Sequence, residues 1–206
     1  MSEFDLKAND WDKNNTHLER AQAIAVQLQE LIPLKQGMKV VEFGAGTAML
    51  SFILRDLFSS ITLIDTSQEM IRICNEKIAQ TKSNHIKTIQ IDLETESLEE
   101  KFDLIYSQMT FHHLSDIDKM IHVLHDLLNE RGILAIADLY TEDGTFHGEE
   151  FNGHKGFDPE WLSKIMQRAG FKNVSYTTCF IQKKIEPDGQ QKEYPVFLII
   201  ARKFPV

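Results

Sequence analysis

Five apolar runs alternate with segments of helical periodicity over the first two thirds of the chain. The runs are Val40–Phe43, Ile61–Ile64, Ile86–Ile91, Leu104–Tyr106 and Ile133–Ala137. The segments Ala48–Leu57, Gln68–Ile78 and Asp116–Leu128 repeat apolar residues every three or four positions. This alternation of buried strands and amphipathic helices is typical of βαβ units. It predicts an α/β fold in which a doubly wound, mostly parallel sheet carries helices on both faces.

A further helix is predicted before the first strand. Thr16 and Glu19 have the spacing of a capping box, and apolar residues follow at helical spacing until Pro33. The chain changes character after the fifth strand, because Leu139–Phe157 is rich in polar residues and glycine and has no clear period. A connection of this length is usually a lid, a binding loop or a mobile segment.

The last third of the chain is expected to complete the sheet. Asp158 and Pro159 supply an N-cap and a first helical residue for a helix that ends near Gly170. Val174–Ile181 and Val196–Ala201 flank a turn sequence, and they predict an antiparallel hairpin. We interpret the chain as one domain with an N-terminal cap and helix at 1–33, a core at 34–138, a lid or substrate loop at 139–157, and a C-terminal helix and hairpin at 158–206.

Candidate binding residues stand at the ends of three successive strands. Gly44 and Gly46 follow the first strand, where glycine lets backbone amides approach a ligand closely. Asp65 ends the second strand nineteen residues after Gly46, a spacing at which an acid reaches the hydroxyls of a ribose. Asp92 and the amide of Leu93 follow the third strand and are placed to receive an adenine ring. The pattern predicts a nucleoside-binding site.

The neighbouring residues argue against a nucleoside that carries phosphates. Met49 stands where a dinucleotide fingerprint needs glycine, and the Glu42 carboxylate would repel a pyrophosphate. The lysine of a Walker motif is also missing from the loop. A cationic, phosphate-free nucleoside suits these acids better, and S-adenosylmethionine has that chemistry. A nicotinamide-dependent reductase is therefore the disfavoured alternative.

Five segments match, in order and spacing, the motifs of one enzyme family: Val40–Met49, Ile64–Met70, Ile91–Leu93, Phe102–Leu114 and Arg131–Ala137. By these segments the chain resembles the class I S-adenosylmethionine-dependent methyltransferases, in the type 11/12-like branch that acts on small molecules. The resemblance covers nearly the whole chain. It implies a seven-stranded sheet with an antiparallel last strand, and in-line transfer of a methyl group to a small-molecule acceptor with S-adenosylhomocysteine as product. Ala48 stands where the family often has glycine, a departure that would narrow the methionine end of the pocket.

The resemblance also implies which residues contact the cofactor. They are Glu42, Gly44, Ala45, Gly46, Asp65, Thr66, Met70, Asp92, Leu93 and Ser107. The glycine turn would surround the methionine end, Asp65 would hold the ribose, and Met70, Asp92 and Leu93 would surround the adenine. Ser107 would meet the amino end through its backbone carbonyl.

Three histidines are candidates for the chemistry of the acceptor. His112 and His113 follow the fourth strand and are candidate general bases for a hydroxyl or an acidic carbon, unless they only pack beside the next helix. His154 in the predicted lid is a candidate substrate contact. No metal site is predicted, because His122 and His125 are three residues apart on a helix without a third ligand nearby in sequence.

Aromatic residues are the candidate walls of an acceptor pocket. Phe4 and Trp11 are candidates to close over the cofactor or an apolar acceptor, and Phe157 and Trp161 to line the opposite wall. Core packing is the expected role of Trp161, because it lies on the apolar face of its helix.

Composition and charge narrow the partners. The net charge of −9 opposes a phosphate backbone, and Ser107–Thr110 stands where nucleic-acid amino methyltransferases carry an Asn/Asp-Pro-Pro-aromatic tetrad. No apolar run has the length of a membrane span, and Cys74 and Cys179 are far apart in sequence. We therefore expect a cytoplasmic monomer or homodimer that binds neither nucleic acid nor membrane. A protein that binds S-adenosylmethionine or S-adenosylhomocysteine without turnover is the alternative function.

Overall fold

The fold is built on one seven-stranded sheet. The computed structural model describes residues 5–6, 8–148, 151–185 and 189–205. Its strands are β1 Lys39–Phe43, β2 Ser60–Asp65, β3 Ile86–Gln90, β4 Phe102–Gln108, β5 Leu128–Leu139, β6 Phe171–Ile185 and β7 Gln191–Lys203. Its α-helices are α1 Asn15–Leu31, α2 Met49–Leu54, α3 Gln68–Thr81, α4 Ile117–Leu127 and α5 Pro159–Arg168. Short 3-10 turns cover Ala8–Lys13, Arg55–Leu57 and Phe111–His113.

The strand order is β3-β2-β1-β4-β5-β7-β6. Strands β1 to β5 pair in parallel with one another, and β7 runs antiparallel to both β5 and β6. The predicted α/β class, the antiparallel C-terminal hairpin and the antiparallel last strand are thereby confirmed. The order reverses between β1 and β4, and open α/β sheets bind ligands in the crevice at such a point.

Helices cover both faces of the sheet. Val40 belongs to the hydrophobic cluster that α1, α2 and α3 share, whereas Val41 belongs to the cluster packed against α4 and α5. Successive residues of a strand point to opposite faces, so a strand buried on both sides has few polar positions. This is why the central strands read as nearly continuous apolar runs rather than as alternating ones, with buried polar residues such as Glu42 and Thr62 as exceptions.

Side-chain caps fix where most helices begin. Ser67 accepts a hydrogen bond from the Met70 amide at 3.2 Å, and Asp158 caps the helix that begins with Pro159. The start of α1 corrects the sequence prediction. Asn14, not the Thr16 capping box, is the N-cap, because its Oδ1 accepts from the Thr16 amide at 3.0 Å.

Two predicted features lie partly or wholly outside the described residues. The turn of the C-terminal hairpin falls on residues 186–188, and Phe4 lies in the first four residues. Within the described part of the chain, each helix is too short or too polar to cross a lipid bilayer.

Candidate functional site

The turn between β1 and α2 brings backbone close to a cavity. Gly44 and Gly46 have φ angles of 66° and 55°, in the left-handed region that favours glycine. Space is also limiting at Gly44, because a Cβ there would lie 2.2 Å from Cγ2 of Thr110. The Ala45 amide donates to the carbonyl of Ile64 at 2.9 Å, which ties the turn to β2. Glycine at position 44 is therefore required by both backbone conformation and close approach.

A cavity of about 430 Å³ opens at the carboxyl ends of β1 to β4. The predicted cofactor residues that line it are Gly44, Ala45, Gly46, Asp65, Thr66, Met70, Asp92 and Leu93. They come from three separate strand ends, and the parallel sheet brings them to one edge. The remaining walls include Trp11 from the N-terminal segment and His113 from the turn after β4.

Asp65 is held at the centre of this edge by backbone amides. Its Oδ2 accepts from the Gly46 amide at 2.7 Å, and its Oδ1 accepts from the Ser67 amide at 2.9 Å. Burial raises the pKa of the Asp65 carboxyl, and these amide hydrogen bonds act in the opposite direction. The carboxylate thus connects the glycine turn to β2, where it can also accept from a ligand hydroxyl.

Asp92 forms a turn of its own beyond β3. Its Oδ1 accepts from the Glu94 amide at 2.9 Å, and Thr95 Oγ1 lies 3.3 Å from its Oδ2. These bonds fix the start of the 92–96 turn beside the cavity, with Leu93 buried at the wall.

Two predicted cofactor residues lie behind the cavity wall instead of on it. Ser107 is buried, and its hydroxyl donates to the Phe43 carbonyl at 2.8 Å. Glu42 is fully buried, and its Oε2 accepts from the Ser51 amide at 3.1 Å and from the Ser51 hydroxyl at 2.5 Å. Tyr106 completes this network, with its hydroxyl 2.6 Å from Ser51 Oγ. Glu42 therefore connects β1 to the start of α2.

Burial raises the pKa of the Glu42 carboxyl to about 7. The free carboxyl of an unfolded chain has a pKa of about 4.3, so between these values the folded protein holds a proton that the unfolded chain has released. Stability is then highest at low pH and falls as the pH rises toward 7. We expect the free energy of unfolding to fall by about 2 kcal/mol between pH 5 and pH 8 through this group.

Glu42→Gln is expected to remove this fall, because a neutral amide keeps an oxygen facing Ser51 and cannot ionise. Urea unfolding at pH 5 and pH 8 measures the difference, with the exposed Glu19→Gln as the matched control. An equal pH slope in Glu42→Gln and in the unmodified protein would contradict the assignment.

Arg20 is a cavity residue that the sequence analysis missed. It projects from α1, is 5% exposed and lines the cavity. Its Nη1 donates to Gln182 Oε1 at 2.5 Å, but its Nε has no hydrogen-bond partner. Burial lowers the pKa of this guanidinium to about 10, while the charge of Asp138 raises it. A buried cation with an unpaired Nε at a cavity wall suits an anionic ligand group.

Gln108 is a second missed residue, since its Oε1 is also buried without a partner and its side chain lines the same cavity.

The sequence does indicate that Arg20 is buried. It is a charged residue four positions before Ile24 and eight before Leu28, on the buried stripe of α1.

The predicted histidines occupy different places. His113 lines the cavity, whereas the ring of His112 is buried, with Nδ1 donating to Asp138 Oδ1 at 2.6 Å. The His154 amide donates to the carbonyl of His112 at 2.7 Å, and its ring lies 5.2 Å from that of Phe157. His112 and His154 are thus next to the cavity wall without lining it. His147 joins this group, and the sequence analysis did not single it out.

The predicted aromatic walls are only partly observed. Trp11 lines the cavity. Phe157 is buried and Trp161 stacks on it, with ring centroids 6.1 Å apart and planes inclined by 2°. Neither residue is part of the cavity lining. Trp161 is 44% exposed, so the expectation that it packs in the core was wrong.

Comparison with known proteins identifies the family. A family model described as a methyltransferase domain matches residues 34–197. An uncharacterized methyltransferase of Schizosaccharomyces pombe is 28% identical over 157 residues, which cover 68% of this chain and 55% of that protein. A malonyl-[acyl-carrier protein] O-methyltransferase of Bacillus anthracis is 27% identical over 204 residues, which cover 89% of this chain and 73% of that protein. The chain thus spans little more than half of the yeast relative.

A solved structure shows the same fold. It is a Haemonchus contortus phosphoethanolamine N-methyltransferase 2 in complex with phosphomonomethylethanolamine and S-adenosylhomocysteine. The TM-score is 0.70 at 15% identity, over 89% of this chain and 52% of that one. Because the family model covers most of the chain and includes the glycine turn and the strand-end acids, the protein belongs to the class I S-adenosylmethionine-dependent methyltransferases.

Proposed function

We propose that this chain binds S-adenosylmethionine in the cavity at the carboxyl ends of β1 to β4 and methylates a small-molecule acceptor. The observation that carries the proposal is the junction of Gly46 and Asp65, whose amide and carboxylate are 2.7 Å apart where the turn after β1 meets the end of β2. It combines a turn open to close approach with a half-buried acceptor for ribose hydroxyls.

Each part of the cofactor then has a chemical counterpart in the cavity. Asp65 and Thr66 accept from the ribose, while Met70, Asp92 and Leu93 surround the adenine. The turn of Gly44, Ala45 and Gly46 surrounds the methionine end, and Ser107 and Glu42 support that turn from behind. Arg20 supplies the cation that a methionine carboxylate needs, because its Nε is buried and unsatisfied at the wall.

Catalysis is expected to depend on positioning. The cofactor supplies a methyl group bonded to a positively charged sulfur. The acceptor attacks the methyl carbon in line with this bond, and the sulfur is the leaving group. The cavity residues hold the reacting atoms in line and exclude water, a contribution of up to roughly 7–11 kcal/mol. We propose His113 as the histidine that contacts the acceptor, because it lines the cavity, and His112 and His154 as its neighbours behind the wall.

The acceptor class follows from charge and from the relatives. The net charge of −9 disfavours nucleic acid. The Bacillus anthracis relative is named for a malonyl group on a carrier protein, and the Haemonchus contortus enzyme was solved with a small phosphorylated amine. We propose a small-molecule acceptor, a cytoplasmic location and a monomeric or homodimeric protein.

Isothermal titration calorimetry tests the proposal. We expect saturable one-site binding of S-adenosylmethionine and of S-adenosylhomocysteine, and no binding of oxidised nicotinamide dinucleotide. Binding of the dinucleotide alone would overturn the proposal. The alternative of a non-catalytic binding protein would be favoured by a different result. In that case both methyl-cycle ligands bind, but no S-adenosylhomocysteine is formed from S-adenosylmethionine with hydroxyl, amine, thiol or carboxylate acceptors.

Arg20→Met is expected to weaken S-adenosylhomocysteine binding about 10-fold, because the charge-assisted bond to the methionine carboxylate is lost. The affinity for 5′-methylthioadenosine, which lacks the carboxylate and the amino group, should change less than twofold. Calorimetry with both ligands makes the comparison, and the exposed Arg168→Met is the control. An equal loss for the two ligands would place Arg20 in a purely structural role.

A further inference from the structure

Three histidines from two distant segments meet beside the cavity. His112 and His113 belong to the 3-10 turn after β4, and His147 lies in the connection after β5. One ring nitrogen of each histidine lies within 4.8 Å of those of the other two. The ring centroid of His112 lies 4.2 Å from that of His113 and 4.8 Å from that of His147. Three imidazoles with converging nitrogens form a possible ligand set for a metal ion.

Asp138 orients the first of these rings. It is the next-to-last residue of β5, and its Oδ1 accepts from Nδ1 of His112 at 2.6 Å and from the Leu139 amide at 2.7 Å. The His112 amide also donates to Oδ2 at 3.2 Å. Both His112 and Asp138 are buried, so this geometry is fixed by packing. Histidines that bind metals almost always donate their second ring nitrogen to a carboxylate, a backbone carbonyl or water. At His112 the carboxylate of Asp138 takes this place, which leaves Nε2 for the metal.

The chain around the cluster is shaped to bring these rings together. Phe151 stacks on His147, with ring centroids 4.1 Å apart. Gly153 passes so close to the cluster that a Cβ there would lie 2.3 Å from the carbonyl oxygen of His112. The segment 151–154 therefore packs over the His112 turn and encloses the cluster on one side.

We propose that His112, His113 and His147 bind one divalent transition-metal ion, of which Zn²⁺ is the best match. Imidazole nitrogens favour zinc, copper, iron and nickel over magnesium and calcium. Three protein ligands leave one position open in a tetrahedral site. Bound nitrogens in such a site lie roughly 3.3 Å apart, given zinc–nitrogen distances of about 2.0–2.1 Å. The exposed rings of His113 and His147 would rotate to close the cluster, while His112 stays in place.

No metal site was predicted from the sequence, because the pair His122 and His125 has no third ligand nearby in the chain. The present cluster joins residues that only the parallel pairing of β4 and β5 brings together, in the register Gln108 with Ala137. His147 then enters from the connection that follows β5.

A metal at this cluster would border the methyl-transfer cavity, because His113 lines both. Its role there rests on the proposed function. An acceptor hydroxyl or thiol would occupy the open position and release its proton to solvent. Its oxygen or sulfur would form the new bond to the methyl carbon while the carbon–sulfonium bond breaks, and the electron pair would remain on the sulfur of S-adenosylhomocysteine. The ion would serve as a Lewis acid that makes this nucleophile available at neutral pH.

Equilibrium dialysis of the tag-free protein against Zn²⁺, after removal of metal with a chelator, tests the site. We expect one equivalent of bound Zn²⁺, and an affinity at least about 10-fold lower in His147→Ala and in Asp138→Asn. His122→Ala is the matched control, because His122 is an exposed histidine on α4 outside the cluster, and it should bind Zn²⁺ like the unmodified protein.

Two outcomes would overturn the site. One is less than a tenth of an equivalent of Zn²⁺ in the unmodified protein, and the other is an unchanged affinity in His147→Ala. Should His147→Ala fail to fold, the stoichiometry of bound Zn²⁺ is compared between the unmodified protein and His113→Asn. Equal stoichiometry in the two proteins would overturn the site. Titration of the same preparations with S-adenosylhomocysteine separates the metal site from the proposed function. If the protein binds S-adenosylhomocysteine but fails to bind Zn²⁺, only the metal site is overturned.

Discussion

Gly44→Ala is expected to destabilise the fold by roughly 3 kcal/mol and to remove detectable binding of S-adenosylhomocysteine. Two physical terms add at this position. A residue with a Cβ costs about 1–2 kcal/mol in the left-handed region, where Gly44 has a φ of 66°. The new methyl group would also lie 2.2–2.8 Å from three atoms of Thr110, an overpacking that costs about 1–3 kcal/mol.

The turn cannot relieve this clash by itself. Thr110 Oγ1 already donates to the Gly44 carbonyl at 3.2 Å. This hydrogen bond connects the glycine turn to the segment after β4 at the cavity wall. Movement of either one displaces the turn that the cofactor is proposed to contact. Loss of binding is therefore expected even in the fraction of molecules that stays folded.

Urea unfolding and calorimetry measure the two effects separately. Gly37→Ala is the control, because a Cβ there has nothing within 4 Å and the residue is outside the left-handed region. Thr110→Ala in the Gly44→Ala background should recover part of the stability, since it removes two of the three clashing atoms and leaves the Cβ at 2.8 Å. Wild-type stability and affinity in Gly44→Ala would show that the turn is not held as described.

The architecture could be predicted from the sequence because it depends on local patterns that repeat. Apolar runs with helical segments between them specify βαβ units, and the crossover rule then restricts how the strands order. The Asp158 cap was readable for the same reason, as it acts within a few residues. Thr16 misled the prediction because Asn14, two residues earlier, caps the helix by accepting from the Thr16 amide, which places Thr16 inside the first turn.

The site could be predicted only where chemistry follows directly from strand ends. Asp65 and Asp92 are acids that end strands, and all parallel strands end at the same edge. Arg20 and His147 come from outside the sheet, so their approach to the cavity depends on how α1 and the connection after β5 pack. No spacing in the sequence specifies that packing. Glu42 was assigned to the cofactor by the family resemblance, yet the strand directs its side chain toward Ser51.

Asp65→Ala is expected to weaken S-adenosylmethionine binding by about 1.5–3 kcal/mol, which corresponds to roughly 10- to 150-fold. The proposed bonds from the ribose hydroxyls are charge-assisted, and alanine removes both acceptor oxygens. The same substitution leaves the Gly46 and Ser67 amides without the carboxylate that accepts from them. The glycine turn therefore loses both its ligand contact and its link to β2.

Asp65→Asn separates these two contributions. The amide keeps one oxygen that can accept from a backbone amide but carries no charge, so we expect a loss of affinity that is intermediate between the unmodified protein and Asp65→Ala. The exposed Asp56→Ala serves as the control for loss of an acid elsewhere on the surface. Circular dichroism should show the fold of Asp65→Ala largely intact, because Leu63 and Ile64 keep β2 buried. Unchanged affinity for S-adenosylmethionine in a folded Asp65→Ala would remove the ribose role from Asp65, and the glycine turn would then need a different nucleoside contact.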